Sequence, residues 1–398
     1  MEGHQISLFD GNNKFKIDKP IRLIELFAGI GSQAKALKNL GVDFEHYRIC
    51  EFDKYAVASY NAVHGTNFET SDITKITAND LGIVDTDKYC YIMTYSFPCQ
   101  DLSNAGLGKG MAKGSGTRSG LLWEVERLLD ECENLPQVLV MENVPQVIGQ
   151  NNIQHFAKWI EKLEQLGYKN KWQVLNAKDY GIPQNRERCF MVSILGDYYY
   201  DFPKTIPLTL RLKDMLEKEV DEKYHFSDRK VVFSNSKMKE TNTNKLIKVG
   251  YMPYGEKNKE HQSNTFYSIK GICPTIDTCG GGNLEPKIIL KSKSQHLRNM
   301  IDKINIEETQ AIDTYNQSIH KDFFQTIRAN INSRNEDFIC HNYIIRKLTP
   351  KECWRLMGFE DKDIDNAIAV GMSNAQLYKQ AGNSICVNVL MAIFKEML

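Results

Sequence analysis

The stretch Ile21-Arg22-Leu23-Ile24-Glu25-Leu26-Phe27-Ala28-Gly29-Ile30-Gly31 decides the fold class of this chain. Residues 21–27 form a mostly apolar run of the length a buried strand takes. The glycines that follow permit a sharp turn and the close approach of a ligand to the main chain. Residues 32–40 place apolar side chains at helical spacing, so the stretch reads strand, glycine turn, helix. With Ala34 it satisfies the loose pattern G-x-G-x-x-A, and Glu51 stands about 20 residues on, where an acid can hold ribose hydroxyls. Phe27, Gly29, Gly31 and Glu51 are therefore candidates for a nucleotide-like ligand. The competing reading is a turn that serves packing alone, and the glycines do not choose among adenosyl cofactors, NAD included.

Working outward, strand and helix patterns alternate. Residues 45–50, 89–95, 138–141 and 189–194 read as strands, and residues 54–64 and 121–132 as helices. This order predicts an α/β domain with a parallel sheet covered by helices, a Rossmann-like arrangement. At 398 residues the chain exceeds the usual size of a single core, which favours two domains. After residue 196 the composition turns rich in Tyr, Lys and Asn without sustained periodicity. The whole chain has net charge zero, yet Arg229 to Arg298 holds 13 Lys or Arg against 5 Asp or Glu. Such a basic stretch suits a phosphate-contacting module, although solvated lysine-rich loops would read the same way. Helical periodicity returns at 348–358, with Thr349 as N-cap and Pro350 in the first turn, and again at 377–397. The expected division is a polar lead-in (1–20), an α/β ligand-binding domain (21–195, completed by a C-terminal helix at 375–398), and a second, smaller domain (196–374).

No apolar run approaches the roughly 20 residues of a membrane span, and the N-terminus lacks the pattern of a signal peptide, so a cytoplasmic location is expected. The ten cysteines are scattered, with no C-x2-C pair, which predicts neither a metal site nor a disulfide framework. Only Cys99 has a suggestive context. Ser96-Phe97-Pro98-Cys99-Gln100 follows a strand, at the edge where open α/β sheets bind ligands, and residues 101–120 carry six glycines, as a mobile lid would. At Met141-Glu142-Asn143-Val144 another strand ends in a carboxylate on the same edge, a candidate acid. Gln184-Asn185-Arg186-Glu187-Arg188 puts two arginines at alternate positions, sharing one face of the next strand. An exposed ion-pair ladder would look similar. Asp72-Ile73 supplies a polar and an apolar group of the kind an adenine requires, though such an Asp is more often a cap.

In this order the segments resemble the cytosine-5 DNA methyltransferases of bacterial and phage restriction–modification systems. The resemblance rests on Phe27 to Gly31, Pro98-Cys99-Gln100, Glu142-Asn143-Val144 and Gln184 to Arg188. It continues through Arg346-Lys347-Leu348-Thr349-Pro350, Arg355-Leu356-Met357-Gly358-Phe359 and Gly382-Asn383-Ser384. It implies S-adenosyl-L-methionine as methyl donor, with Phe27 and Phe97 lining the adenosyl pocket. Glu51 would then bind the ribose, Asp72 and Ile73 the adenine, and Asn383 with Ser384 the amino-acid portion. Cytosine carbon 5 is a poor nucleophile, so a thiolate, here Cys99, must first add to carbon 6. Glu142 would act at N3 and the exocyclic amine, Arg188 would hold the base carbonyl, and Arg186 would set the electrostatics. A cytosine inside double-stranded DNA must be flipped out, with the lid at residues 101–120, including Ser103, closing over it, Gln100 contacting the DNA and Arg118 touching phosphate. Thr275-Ile276, ahead of Gly280-Gly281-Gly282, matches the Thr-Leu or Thr-Ile pair of the family's recognition domain, and Thr326-Ile327 is a second candidate. The resemblance further suggests a monomer, with a cognate restriction endonuclease acting separately. Ser71 departs from the family pattern, where a glycine often stands. A transfer-RNA cytosine methyltransferase on the same scaffold, an inactive DNA-binding relative and an NAD-dependent dehydrogenase remain as alternatives.

Overall fold

The computed structural model describes residues 13–99, 101–102, 110–226, 232–233, 243–253, 260–279, 284–291, 311–313, 318–320 and 343–398. The opening stretch forms β1 (Ile21–Leu26) and α1 (Ser32–Asn39). The alternation continues through β2 (Phe44–Cys50), α2 (Lys54–His64), β3 (Cys90–Tyr95), α3 (Leu122–Glu131), β4 (Val138–Asn143), α4 (Ile153–Gln165), β5 (Tyr168–Asn176) and β6 (Glu187–Leu195). These strands make one sheet in the order β2-β1-β3-β4-β6-β5.

The first four strands run parallel, but β6 is antiparallel to both β4 and β5. The expectation of a parallel sheet thus fails at β6, for a topological reason. A parallel return needs a crossover of a dozen or more residues, and the short link between β5 and β6 can only reverse the chain. Neither α4 nor β5 has a counterpart in the sequence expectation. β5 lies at the edge, and its Lys169-Asn170-Lys171 run breaks the apolar pattern that marks the central strands.

Both faces of the sheet are covered. Leu23, Ile92, Val140 and Val192 pack into one core, and Ile24, Met93, Leu139 and Met191 into the other. This two-sided burial is why the central strands read as unbroken apolar runs.

A second sheet has the order β11-β10-β9-β8-β7, built from β7 (Val232–Phe233), β8 (Lys248–Tyr251), β9 (Thr265–Ser268), β10 (Lys287–Lys291) and β11 (Tyr343–Lys347). Its own core is small: Val249, Met252, Phe266, Ile289 and Ile345. Four helices follow: α5 (Pro350–Arg355), α6 (Asp361–Ala369), α7 (Asn374–Asn383) and α8 (Val387–Lys395). Thr349 caps α5 as expected, its Oγ1 accepting from the Glu352 amide while Glu352 accepts from the Thr349 amide.

Residues 348–374, grouped by sequence with the second domain, pack with the first. Leu348, Trp354, Met357 and Ile364 share the core of Leu23 and Ile92, and buried Lys35 of α1 pairs with buried Asp363 of α6 at 2.9 Å. The helical pattern at 377–397 is two helices rather than one. The Ser384 hydroxyl donates to the Gln380 and Ala381 carbonyls, and the backbone turns extended there before α8 begins. Among the described residues no helix is long and apolar enough to cross a membrane, and no group of His, Cys, Asp or Glu is arranged to hold a metal.

Candidate active site

The candidate residues gather at the carboxyl edge of the parallel strands. After β1, Phe27, Gly29 and Gly31 have φ of 58°, 57° and 78°, and the Phe27 and Ala28 amides donate to the Cys50 carbonyl at the end of β2. Glu51 comes next in the chain. One carboxyl oxygen accepts from the Gly29 amide at 2.9 Å and the other from the Asp53 amide at 2.8 Å. Burial pushes this carboxyl up, and the two amides pull it back.

The two glycines are needed for different reasons. A Cβ on Gly31 would fall 2.2 Å from His64 Nε2 and 2.6 Å from Tyr60 Cε2, so Gly31 answers to packing. Among the described residues a Cβ on Gly29 would meet nothing within 4 Å, which leaves the main chain there open to a ligand lying along it.

Phe52, directly after Glu51, is 78% exposed and offers an aromatic face beside the carboxylate. Sequence reasoning passed over it; an aromatic immediately after the acid that ends a strand was the available signal. Asp72 accepts from the Thr74 amide and hydroxyl, which with Lys75 hold its carboxyl below the usual range, so it caps a turn. The Ser71 amide donates to the Glu51 carbonyl, which brings Asp72 and buried Ile73 to the same end of β2. Ser71 Oγ is buried and has no partner among the described residues. From the far end of the chain, the Ile385 amide donates to Ser32 Oγ at 3.2 Å and draws the end of α7 to the glycine turn. Asn383 is exposed there, whereas the Ser384 hydroxyl is spent on its own helix.

Half-buried Cys99 lies just past β3 on a loop held from two sides. Asn143 Nδ2 donates to the Phe97 carbonyl at 2.9 Å, and Ser119 Oγ donates to the Pro98 carbonyl at 2.7 Å. Buried Asn143 was quoted in the sequence only as part of a motif; here it positions the Pro-Cys turn. Phe97 is buried beneath. Burial pushes the Cys99 thiol up and Glu142 adds to this, while Arg188 and Arg186 oppose both. Glu142, near the end of β4, is itself pushed up by burial and pulled back chiefly by Arg188, whose Nε lies 3.1 Å from its Oε1. A thiol, a carboxyl inclined to keep its proton and a guanidinium thus converge at one edge of the sheet.

Arg186 is placed differently from Arg188. It is fully buried. Nη1 donates to the Ile276 carbonyl at 2.9 Å, and Nη2 to the Gly382 and Ser384 carbonyls at 2.8 and 2.9 Å. Only Nε is without a partner among the described residues. Gln184 beside it accepts from the Ile276 amide and donates to the Leu356 carbonyl.

Thr275 and Ile276, expected at the DNA, are docked on this segment. Thr275 Oγ1 donates to the Asn185 carbonyl at 2.6 Å, and Ile276 is fully buried. A Cβ on Gly382 would come within 2.4 Å of the Asp277 backbone, so α7 and the strap around Ile276 touch main chain to main chain. Arg118 is exposed at the lip of the Cys99 loop, its amide donating to Asp101. Gln100, Ser103, Gly280 to Gly282 and Thr326-Ile327 lie outside the described residues.

Residues 21–398 match the model of the family described as C-5 cytosine-specific DNA methylase. The chain belongs to this family. The orphan methyltransferase M.SPBetaI of Bacillus phage SPbeta is 30% identical, with 95% of this chain and 97% of that protein covered. The type II methyltransferase M2.ScrFI of Lactococcus lactis subsp. cremoris is 31% identical, with 95% and 99% covered. Among solved structures, Entamoeba histolytica EhMeth aligns with a TM-score of 0.62 at 16% identity, covering 96% of this chain and 98% of that one. S. pombe Dnmt2 aligns with a TM-score of 0.60 at 18% identity, with the same coverage. These two likenesses show the fold. Membership makes the protein a DNA cytosine-5 methyltransferase that uses S-adenosyl-L-methionine, and the dehydrogenase, inactive and transfer-RNA readings give way to it.

Proposed function

We propose that this methyltransferase acts on a flipped-out cytosine within a specific duplex sequence through Cys99, Glu142 and Arg188. The observation that carries the assignment is the placing of Cys99, on its pinned loop, at the strand edge where Arg188 Nε lies 3.1 Å from Glu142 Oε1. The Cys99 thiolate adds to cytosine carbon 6 while Glu142 gives a proton or hydrogen bond to N3, so the electron pair moves to carbon 5. Arg188 steadies the Glu142 carboxyl and faces the base carbonyl. When bound, S-adenosyl-L-methionine would supply an electrophilic methyl group to carbon 5, its carbon–sulfur bond breaking with the electron pair going to the sulfur of the departing S-adenosylhomocysteine. A base then removes the carbon 5 proton, and the returning electron pair expels Cys99 as thiolate.

The residues at the end of β2 suit the donor. Gly29 presents open main chain, Phe52 an aromatic face, Glu51 a carboxylate for ribose hydroxyls and Ser71 an unpartnered hydroxyl. Phe27, Asp72, Ile73, Phe97 and Asn383 complete this proposed site. Arg186 is assigned as a positioning residue.

The catalytic domain is proposed to comprise residues 21–195 with the helices after β11, and the target-recognition domain the segment between, including the basic stretch. A separate restriction endonuclease, monomeric action and a cytoplasmic setting in a bacterial or phage-infected cell complete the proposal. The test is Cys99→Ala, which abolishes transfer of labelled methyl to duplex DNA; full activity in that variant refutes the assignment. Bisulfite sequencing of DNA from cells expressing the wild type reads the target site in the same experiment.

A further inference from the structure

Behind the glycine turn lies a set of buried polar side chains that the chemistry above leaves unused. Glu25, on β1, is 1% exposed, and its two hydrogen-bond partners among the described residues are neutral donors. The Tyr60 hydroxyl donates to one carboxyl oxygen at 2.5 Å and the Ala34 amide to the other at 3.3 Å. Ala34 lies in the first turn of α1, whose N-cap, Gly31, has no side chain to offer. Glu25 therefore reaches across from the strand to supply the anion that this helix start lacks. The Tyr60 hydroxyl is also 3.1 Å from His46 Nδ1 on β2, and His64 Nε2 donates to the Ile30 carbonyl at 3.1 Å. Tyr60 and His64 are also the two rings that border Gly31. The turn is thus held through the Ile30 carbonyl, through contact at Gly31 and through the Ala34 amide.

We propose that Glu25, seated by the Tyr60 hydroxyl and the Ala34 amide, is a positioning residue for the cofactor turn, and that its ionised form is the one that binds the methyl donor. A proton on Glu25 needs an acceptor, and both present partners are donors. Among these partners only the Tyr60 oxygen can turn to accept it, the Tyr60 hydroxyl keeping its proton and redirecting its hydrogen bond to His46 Nδ1, and the Ala34 amide then faces a neutral group. The start of α1 loosens, and the donor is held less tightly.

Among the described residues Tyr60 on α2 is the titratable group bonded to Glu25; Tyr60 in turn meets His46 on β2 and His64 on α2, and Lys35 and Lys38 on α1 act on His64. Lys35 is committed to Asp363 and Glu360. Burial, aided by His46 and the two lysines, holds His64 neutral down to about 3, and burial with Lys38 likewise lowers His46. Burial pushes Glu25 up to about 7, Tyr60 and Ala34 pulling the other way. Its charge therefore changes near neutrality.

The test is the dissociation constant of S-adenosyl-L-methionine, by calorimetry without DNA between pH 5.5 and 8.5. A site competent only when Glu25 is ionised binds about tenfold more weakly one pH unit below the midpoint than well above it. Glu25→Gln binds the donor at least that weakly and without this pH dependence across the range, with kcat at saturating donor within about twofold of wild type and the KM for DNA unchanged. The ligand's own α-amino group titrates at about 8 in both proteins, so the difference between the profiles is the readout. Tyr60→Phe keeps the carboxylate but removes a donor to it, and moves the midpoint to higher pH. A carboxyl raised by burial favours the folded state as pH falls, so unfolding does not mimic the loss, and a thermal melt at each pH verifies this. Wild-type affinity in Glu25→Gln, or identical profiles for wild type and Tyr60→Phe, overturns the proposal. The inference rests on the glycine turn binding the donor; wild-type protein that binds none at any pH overturns that assignment instead.

Discussion

Replacing Arg186 by Met separates a catalytic arginine from one that holds the scaffold. The guanidinium makes three hydrogen bonds, all to main-chain carbonyls, and is 3% exposed. A hydrogen bond to a charged group contributes about 1.5–3 kcal/mol, and an abandoned buried acceptor costs about 1–3 kcal/mol. Relief from burying the cation offsets part of this, and breaking comparable buried sets costs about 3–5 kcal/mol. That loss is expected for Arg186→Met in urea denaturation followed by tryptophan fluorescence. It is a large share of the roughly 5–15 kcal/mol that holds a domain folded. Arg186→Lys keeps the charge, but a compact ammonium cannot span carbonyls from two segments, and a loss of about 2 kcal/mol is expected. The strap at Ile276 and the end of α7 lose their tie together, so the KM values for DNA and donor rise in both variants. The reasoning is refuted if Arg186→Met unfolds within about 0.5 kcal/mol of wild type while kcat falls a hundredfold or more, for then the guanidinium acts on the base.

Glu142→Gln removes a buried acid inclined to keep its proton, and kcat in single-turnover methylation should fall by about 10²–10⁴ with donor affinity unchanged; near-wild-type turnover would exclude an acid role. Because burial raises the Cys99 thiol, its alkylation by iodoacetamide, followed by peptide mass spectrometry, should be slow at neutral pH and accelerate as pH rises. Arg188→Gln removes an opposing cation and should slow it further at every pH; faster alkylation in that variant would contradict the assigned electrostatics. Gly31→Ala drives a Cβ into His64 and Tyr60 at a positive φ and should cost about 1–3 kcal/mol or more in stability. Gly29→Ala meets no neighbour, so beyond the strain of its φ its main effect should be weaker donor binding in calorimetry, and unchanged affinity would mean that the open main chain there holds nothing.

The parallel half of the sheet was legible because its strands are buried on both faces and their apolar runs end in punctuating residues: glycines after Leu26, Pro98 after Tyr95, and Glu142 and Asn143 at the end of β4. β5 was hidden because an edge strand with a lysine-rich start carries no such run, and without β5 the reversal of β6 could not be foreseen. The thiol, the carboxyl and Arg188 were legible because their chemistry is written in residue types. The roles of Asn143 and Glu25 were not, because each acts through a main-chain partner and any residue type can supply a carbonyl or an amide.

The same distinction explains why two arginines two residues apart do different work. Arg188 lies on β6 within reach of Glu142, so its charge is directed at the carboxyl proposed to protonate the base. Arg186 lies just before the strand, where the segment around Ile276 and the end of α7 meet, and Gly382 lets their backbones touch. A junction of main chains leaves carbonyls that no water can reach, and a fork of fixed donors satisfies several at once. On the proposed assignment, one cation serves the chemistry and the other the joint between the proposed recognition segment and the cofactor end. A substitution at the joint should therefore disturb both binding steps together, and one at Arg188 the reaction alone.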